Sequence, residues 1–149
     1  MKRRALHFVL VALPLLAVVS CGKFQQAREC GTFVKTVNAW LASPDAKVAV
    51  DAGASANDPK QIAGEARRTA QHYSELSQSL AGLHIQAEDL APRVKRYEDI
   101  ANSAARTLNE VADALDQADL EKARQKRVDF DTVARLEGPL VKEINGICR

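Results

Sequence analysis

LAPRVKRYEDIANSAARTLNEVADALD, residues 90–116, carries the pattern that decides the fold. Leu90, Val94, Tyr97, Ala101, Ala104, Leu108, Val111 and Leu115 follow one another at alternating steps of four and three. That spacing keeps one stripe turned toward a neighbour over many turns, so it predicts a long helix packed at a shallow angle, as in coiled coils and bundles. The helix begins near Glu88-Asp89, and Pro92 falls in its first turn, where a missing N–H is tolerated. Alanines in the seam permit close approach and leave a slim core. Glu98, Asp99, Glu110, Asp113 and Asp116 read as a solvated face with Lys and Arg partners.

The same periodicity recurs on both sides. Upstream, Ile62, Ala66, Thr69, Tyr73, Leu76, Leu80 and Leu83 again alternate 4-3. Asp58 is placed to cap this helix, Pro59 occupies its first turn, Gln61 completes a box-like arrangement, and Gly82 supplies a stop. A first helix at about 24–42 puts Phe24, Cys30, Phe33, Val34, Val37 and Leu41 on one stripe and ends before Pro44. Residues 43–58, rich in Ala, Asp, Gly and Ser, read as a linker. Downstream, a fourth helix at about 119–148 carries Leu120, Ala123, Phe130, Val133, Leu136, Leu140, Ile144 and Ile147. Gly138-Pro139 should kink or split it. No Gly or Pro marks residues 116–119, so helices three and four read either as separate or as continuous. Strand signal is confined to the short Val48–Val50 piece. The expectation is an all-α domain, an antiparallel up-down four-helix bundle over residues 21–149. With 46% apolar residues, 149 residues suffice for one such core.

The first twenty residues follow a different logic. Lys2-Arg3-Arg4 precedes an apolar stretch from Ala5 to Val19, interrupted by His7 and Pro14. A membrane span needs about 20 apolar residues, so this run suits a cleaved export signal better than a permanent helix. Then comes Val18-Val19-Ser20-Cys21: an aliphatic residue, a tolerant position, a small residue and a cysteine. The segment resembles the lipobox of bacterial lipoproteins. The resemblance implies a diacylglycerol thioether on Cys21, cleavage before it, and acylation of the new amino group. Two or more acyl chains hold a protein stably on a bilayer, whereas one does so only marginally. Gly22, rather than Asp, after the cysteine implies delivery to the outer membrane, facing the periplasm.

An exported chain meets an oxidising compartment. With Cys21 used by the lipid, Cys30 and Cys148 offer a single disulfide pairing. They can meet only if the last helix returns to the start of the first, as an even-numbered up-down bundle does. If they do, both chain ends and the turn at 83–88 lie at the membrane side, and the connections at 43–58 and 116–119 face outward.

Charge and motifs narrow the function. Removing Lys2, Arg3 and Arg4 with the leader turns the net charge from +2 to −1, and no polybasic block remains, which argues against nucleic acid as a partner. The single methionine is Met1 and no Cys-x-x-Cys-His occurs, so no haem ligation is expected. His72 and His84 lack the Glu-x-x-His spacing of di-metal bundles and are expected on solvated helix and turn surfaces. No nucleophile elbow or phosphate loop is present. No cofactor, metal site or catalytic residue is therefore expected. Trp40 either packs on the core or anchors a partner, since tryptophan is enriched at binding hot spots. The expected role is a structural or protein-interaction module, lipid-anchored through Cys21, that meets another envelope protein or a second copy of itself. The alternatives are a bundle binding a small ligand or a metal, and an inhibitor of an envelope enzyme.

Overall fold

The computed structural model describes residues 18–43 and 58–149, with side chains from Gly22 onward. The leader before Val18 and linker residues 44–57 lie outside the described residues. Among those described, the elements are all helical: α1 (Val18–Leu41), α2 (Pro59–Ala81), α3 (Ala91–Asp116), α4 (Leu120–Ala134) and α5 (Glu137–Ile147). They form an up-down bundle in which α4 and α5 together make the fourth, broken helix.

The central helix is α3. Leu90, Val94, Tyr97, Ala101, Ala104, Leu108 and Val111 of its seam are all buried, and so are Ile100, Ala105, Ala112 and Ala114 beside them. The extra buried positions follow from α3 being covered on two sides, by α2 and by α4 with α5. Its partner α2 buries Ala66, Leu76 and Leu80 of the expected stripe but departs from the rest of it. Ala63, Ala66 and Ala70 are buried while Ile62, Thr69 and Tyr73 are half-exposed. Small side chains on both α2 and α3 let the two helices approach closely, so the alanines face inward and the bulkier residues are displaced to the flank. The acidic face behaves as expected: Lys95 pairs with Glu98 (2.8 Å) and Asp99 (2.9 Å), and Arg67 bridges from α2 to Asp113 (3.0 Å) and Asp116 (2.6 Å).

Both ends of α2 fall where expected, at Asp58 and Gly82, and differ in detail. Asp58 caps α2 through its own side chain, which accepts from the Lys60 N–H at 3.0 Å, but Gln61 turns to Glu65 and forms no box. Gly82 ends α2 in an ordinary right-handed conformation (φ −72°), and the left-handed residue of the turn is His84 (φ 48°).

The connection between α3 and α4 is a sharp reversal. Ala118 adopts a left-handed conformation (φ 56°). The Asp119 N–H returns to the Ala114 carbonyl (2.9 Å) and the Ala118 N–H to that of Leu115 (3.0 Å), the paired bonds that close a helix end around one left-handed residue. Asp119 then opens α4 by accepting from the Lys122 N–H at 3.0 Å.

The fourth helix breaks at Arg135-Leu136, just before Gly138-Pro139. Pro139 thereby falls in the first turn of α5, where no carbonyl lacks its N–H. The seam keeps its step through the break but includes Glu137 in place of the expected Leu136. Leu136 is 46% exposed, whereas Glu137 falls in step with Phe130, Val133, Leu140, Ile144 and Ile147. Leu120 is likewise exposed.

The bundle has two tiers, and α1 contributes to only one of them. In the lower tier Cys30, Phe33, Leu76, Leu80, Leu90, Val94, Tyr97, Leu140 and Ile144 form one core with contributions from every helix except α4, whose Val133 packs against it. In the upper tier Ala63, Ala66, Val111 and Ala112 form a second, slimmer core with Leu115 at its edge. Within α1 itself, Phe24, Val34 and Leu41 of the expected stripe are exposed; only Cys30 and Phe33 are fully buried.

Candidate functional site

The base of the molecule gathers the start of α1, the connection between α2 and α3, and the end of α5. Cys30 and Cys148 are joined there, with their Cα atoms 5.5 Å apart and 118 residues between them in sequence. One turn away, Gln26 donates to the Ile147 carbonyl at 3.2 Å. On the other flank of α1, Glu29 accepts from the backbone N–H groups of Ala87 (2.8 Å) and Gln86 (3.1 Å). Burial works against its ionisation, yet these backbone bonds and one from Gln25 outweigh it and hold the Glu29 carboxyl below its ordinary value. The middle of α1 is thus clasped on both sides, covalently to the residue that follows α5 and by a carboxylate to the loop.

On the Glu29 flank, between α1 and the loop, lies an open groove of about 790 Å³. It is lined by Phe24, Arg28 and Thr32 from α1 and by Leu83, His84 and Ile85 from the loop, with Gln25, Glu29 and Gln86 at its floor and rim. The Phe24 ring stands 74% exposed at its edge. Cys21 lies in the first turn of α1; its side chain is outside those described.

At mid-height, Trp40 packs against α2. Its ring stacks on His72, with centroids 4.5 Å apart, and its indole N–H donates to the His72 carbonyl at 2.9 Å. Tyr73 lies 5.4 Å from the indole and meets Phe130 of α4 edge-on at 6.1 Å. Trp40 therefore packs on the core and keeps only a partial exposed edge next to Leu41, which is 55% exposed. His72, expected on a solvated face, is buried (4% exposed) because α1 covers that flank of α2, and its Nε2 lies 3.3 Å from the Ser43 hydroxyl. His84 is exposed in its turn, as expected.

Glu137 is the polar residue that periodicity missed. At the start of α5 it receives the Tyr73 hydroxyl, while its Oε1 is buried without a hydrogen-bond partner. Burial raises its carboxyl above the ordinary range, and the Tyr73 bond only partly opposes this. Burial and then the Glu137 charge push the Tyr97 hydroxyl up to about 12. The steps of four and three from Val133 to Glu137 to Leu140 were the signal that could have found it.

Among the described residues, no group of three or more His, Cys, Asp or Glu side chains converges to hold a metal ion, and no helix is long and apolar enough to cross a membrane. No protein-family model matches the chain, and neither a curated protein nor a solved structure matches it significantly. The arrangement therefore has to be read from its own chemistry: a bundle clasped at one end, with Cys21 in the first turn of the clasped helix.

Proposed function

We propose that the chain is a lipid-anchored lipoprotein of the cell envelope, held in the outer membrane facing the periplasm, whose helical bundle is a structural or protein-interaction module without catalysis. The observation that carries this reading is Val18-Val19-Ser20-Cys21 after a basic start and an apolar run. Its helical context supports it. Cys21 and Cys30 lie on one unbroken helix, and nine residues of helical rise set them about 13 Å apart. A lipid on Cys21 would then be joined to the bundle by about two and a half turns of helix, without a flexible stalk. The clasped base would lie toward the membrane, and the α3–α4 reversal would point away from it.

The partner is an envelope protein or a second copy, met along the sides or at the outward end. The exposed edge of Trp40 with Leu41 is the first contact to test. Metabolic labelling with a palmitate analogue should mark the native chain, and Cys21→Ser should abolish both the label and leader removal. Normal labelling of the Ser variant would refute the anchor. Crosslinking in cells from Leu41 and from Gln117 should capture a stoichiometric protein, whereas capture from neither position would refute the interaction role.

A further inference from the structure

Phe24 is the most exposed large apolar side chain of the described residues, at 74%. Its place is unusual in three ways. It sits in α1 one turn after Cys21, and residues three apart on a helix share a face. It borders the base groove, where Leu83 and Ile85 add apolar surface at the same end of the bundle. And it is held on a rigid support, because the Glu29 carboxylate and the Cys30–Cys148 bond fix the helix one to two turns further on.

We infer that the base is a second membrane contact, in which the Phe24 ring enters the bilayer interface beside the Cys21 lipid and seats the bundle directly on the lipid surface. The inference rests on the reading of Cys21 as lipidated. The occupant is the bilayer because a lipid at Cys21 would bring it within one helical turn of the ring. A Phe ring on a clasped helix loses little conformational freedom on entering that layer, and helices that lie at a membrane surface bury Trp, Phe and Leu at the boundary of headgroups and acyl chains. The polar lining of the groove by Gln25, Arg28, Glu29, Thr32 and Gln86 suits headgroups better than an acyl chain. Charge does not drive the contact. Lys23, Arg28 and Arg149 are offset at this end by Glu29, Glu88 and Asp89. The ring, and not a basic patch, does the attaching.

The test uses the full lipoprotein carrying a photoreactive benzophenone amino acid in place of Phe24, a position whose exposure makes folding insensitive to the change. A second version carries the same group in place of Val128, which is exposed on α4. Each is reconstituted into phosphatidylcholine vesicles, with and without phosphatidylglycerol, irradiated and read by mass spectrometry of the intact protein. The expected result is phospholipid adducts from position 24, in equal yield in both vesicle types, and none from position 128. The inference is overturned if position 24 yields no lipid adduct, crosslinks to a second copy, or captures lipid only when phosphatidylglycerol is present. The same spectra report diacylglycerol on Cys21. Lipidated protein without adducts refutes the seating alone, while an unmodified Cys21 refutes the anchor reading and the seating with it.

Discussion

Replacing Ala118 by Gly gives a stability change whose sign depends on how α3 joins α4. In the structure Ala118 holds φ at 56°, a conformation that crowds Cβ against the backbone and costs an L-residue about 1–2 kcal/mol more than glycine. Glycine also frees the unfolded chain, which returns part of that gain. The net expectation for Ala118→Gly is a stabilisation of about 0.5–1 kcal/mol, since the Ala118 and Asp119 N–H bonds to Leu115 and Ala114 stay in place. If α3 and α4 were one uninterrupted helix, the same change would cost about 1 kcal/mol. Asp119→Ala supplies the matching test. Loss of its bond to the Lys122 N–H should destabilise by about 1 kcal/mol, whereas in a continuous helix alanine would stabilise. Urea titration followed by helical circular dichroism reads both. A lower midpoint for Ala118→Gly together with a higher one for Asp119→Ala would refute the reversal and the up-down topology built on it.

Two further perturbations address the core and the clasp. Cys30→Ser with Cys148→Ser opens a loop spanning 118 residues of sequence separation. In the chain-entropy treatment that lowers stability by about 4–5 kcal/mol, and equal urea midpoints with and without reductant would contradict the bond. Glu137 binds its proton more tightly folded than unfolded, because burial raises its carboxyl. Its contribution is therefore fully present at acid pH and is lost as pH rises from the ordinary carboxylate range through the raised folded value. Glu137→Gln should flatten that decline and leave the protein more stable than the native chain at neutral pH; an unchanged pH slope would show that Glu137 is not the group responsible.

How far the sequence could be read depended on how many neighbours each helix has. The seam of α3 was legible almost residue for residue because a central helix buries every apolar position its period puts inward. The α2 stripe was legible in part: Ala66, Leu76 and Leu80 are buried as their spacing predicts, but Ala63 and Ala70 carry too little apolar weight to outrank Ile62 and Tyr73 until the closeness of α3 is known. Peripheral helices misled more. Phe24, Val34, Leu41 and Leu120 obey helical spacing yet are exposed: Val34 lies within the packed stretch of α1 but on a face turned away from the core, and the others lie toward helix ends. At the break after Ala134, the ordinary weighting of Leu over Glu chose Leu136, although the 3-4 rhythm itself selects Glu137. The cysteine pairing was legible because the lipobox resemblance sets Cys21 aside and so singles out Cys30 and Cys148. The clasp of Glu29 on the Gln86 and Ala87 amides was not, since a bond between a side chain and a loop 57 or 58 residues away leaves no local pattern.

The cross-link at the base also decides how the molecule responds to a pull. Held only by side-chain packing, α1 would peel away from the end being tugged, one turn at a time, with each turn resisting little. Because Cys30 is bonded to Cys148, tension entering at the start of α1 divides after two and a half turns between α1 and α5. Separating α1 then requires its Phe33-to-Trp40 stretch to slide as a unit past Tyr97, His72 and Tyr73. Sliding breaks those contacts together and peeling breaks them in turn, so a modest interface resists a larger force than its area alone suggests.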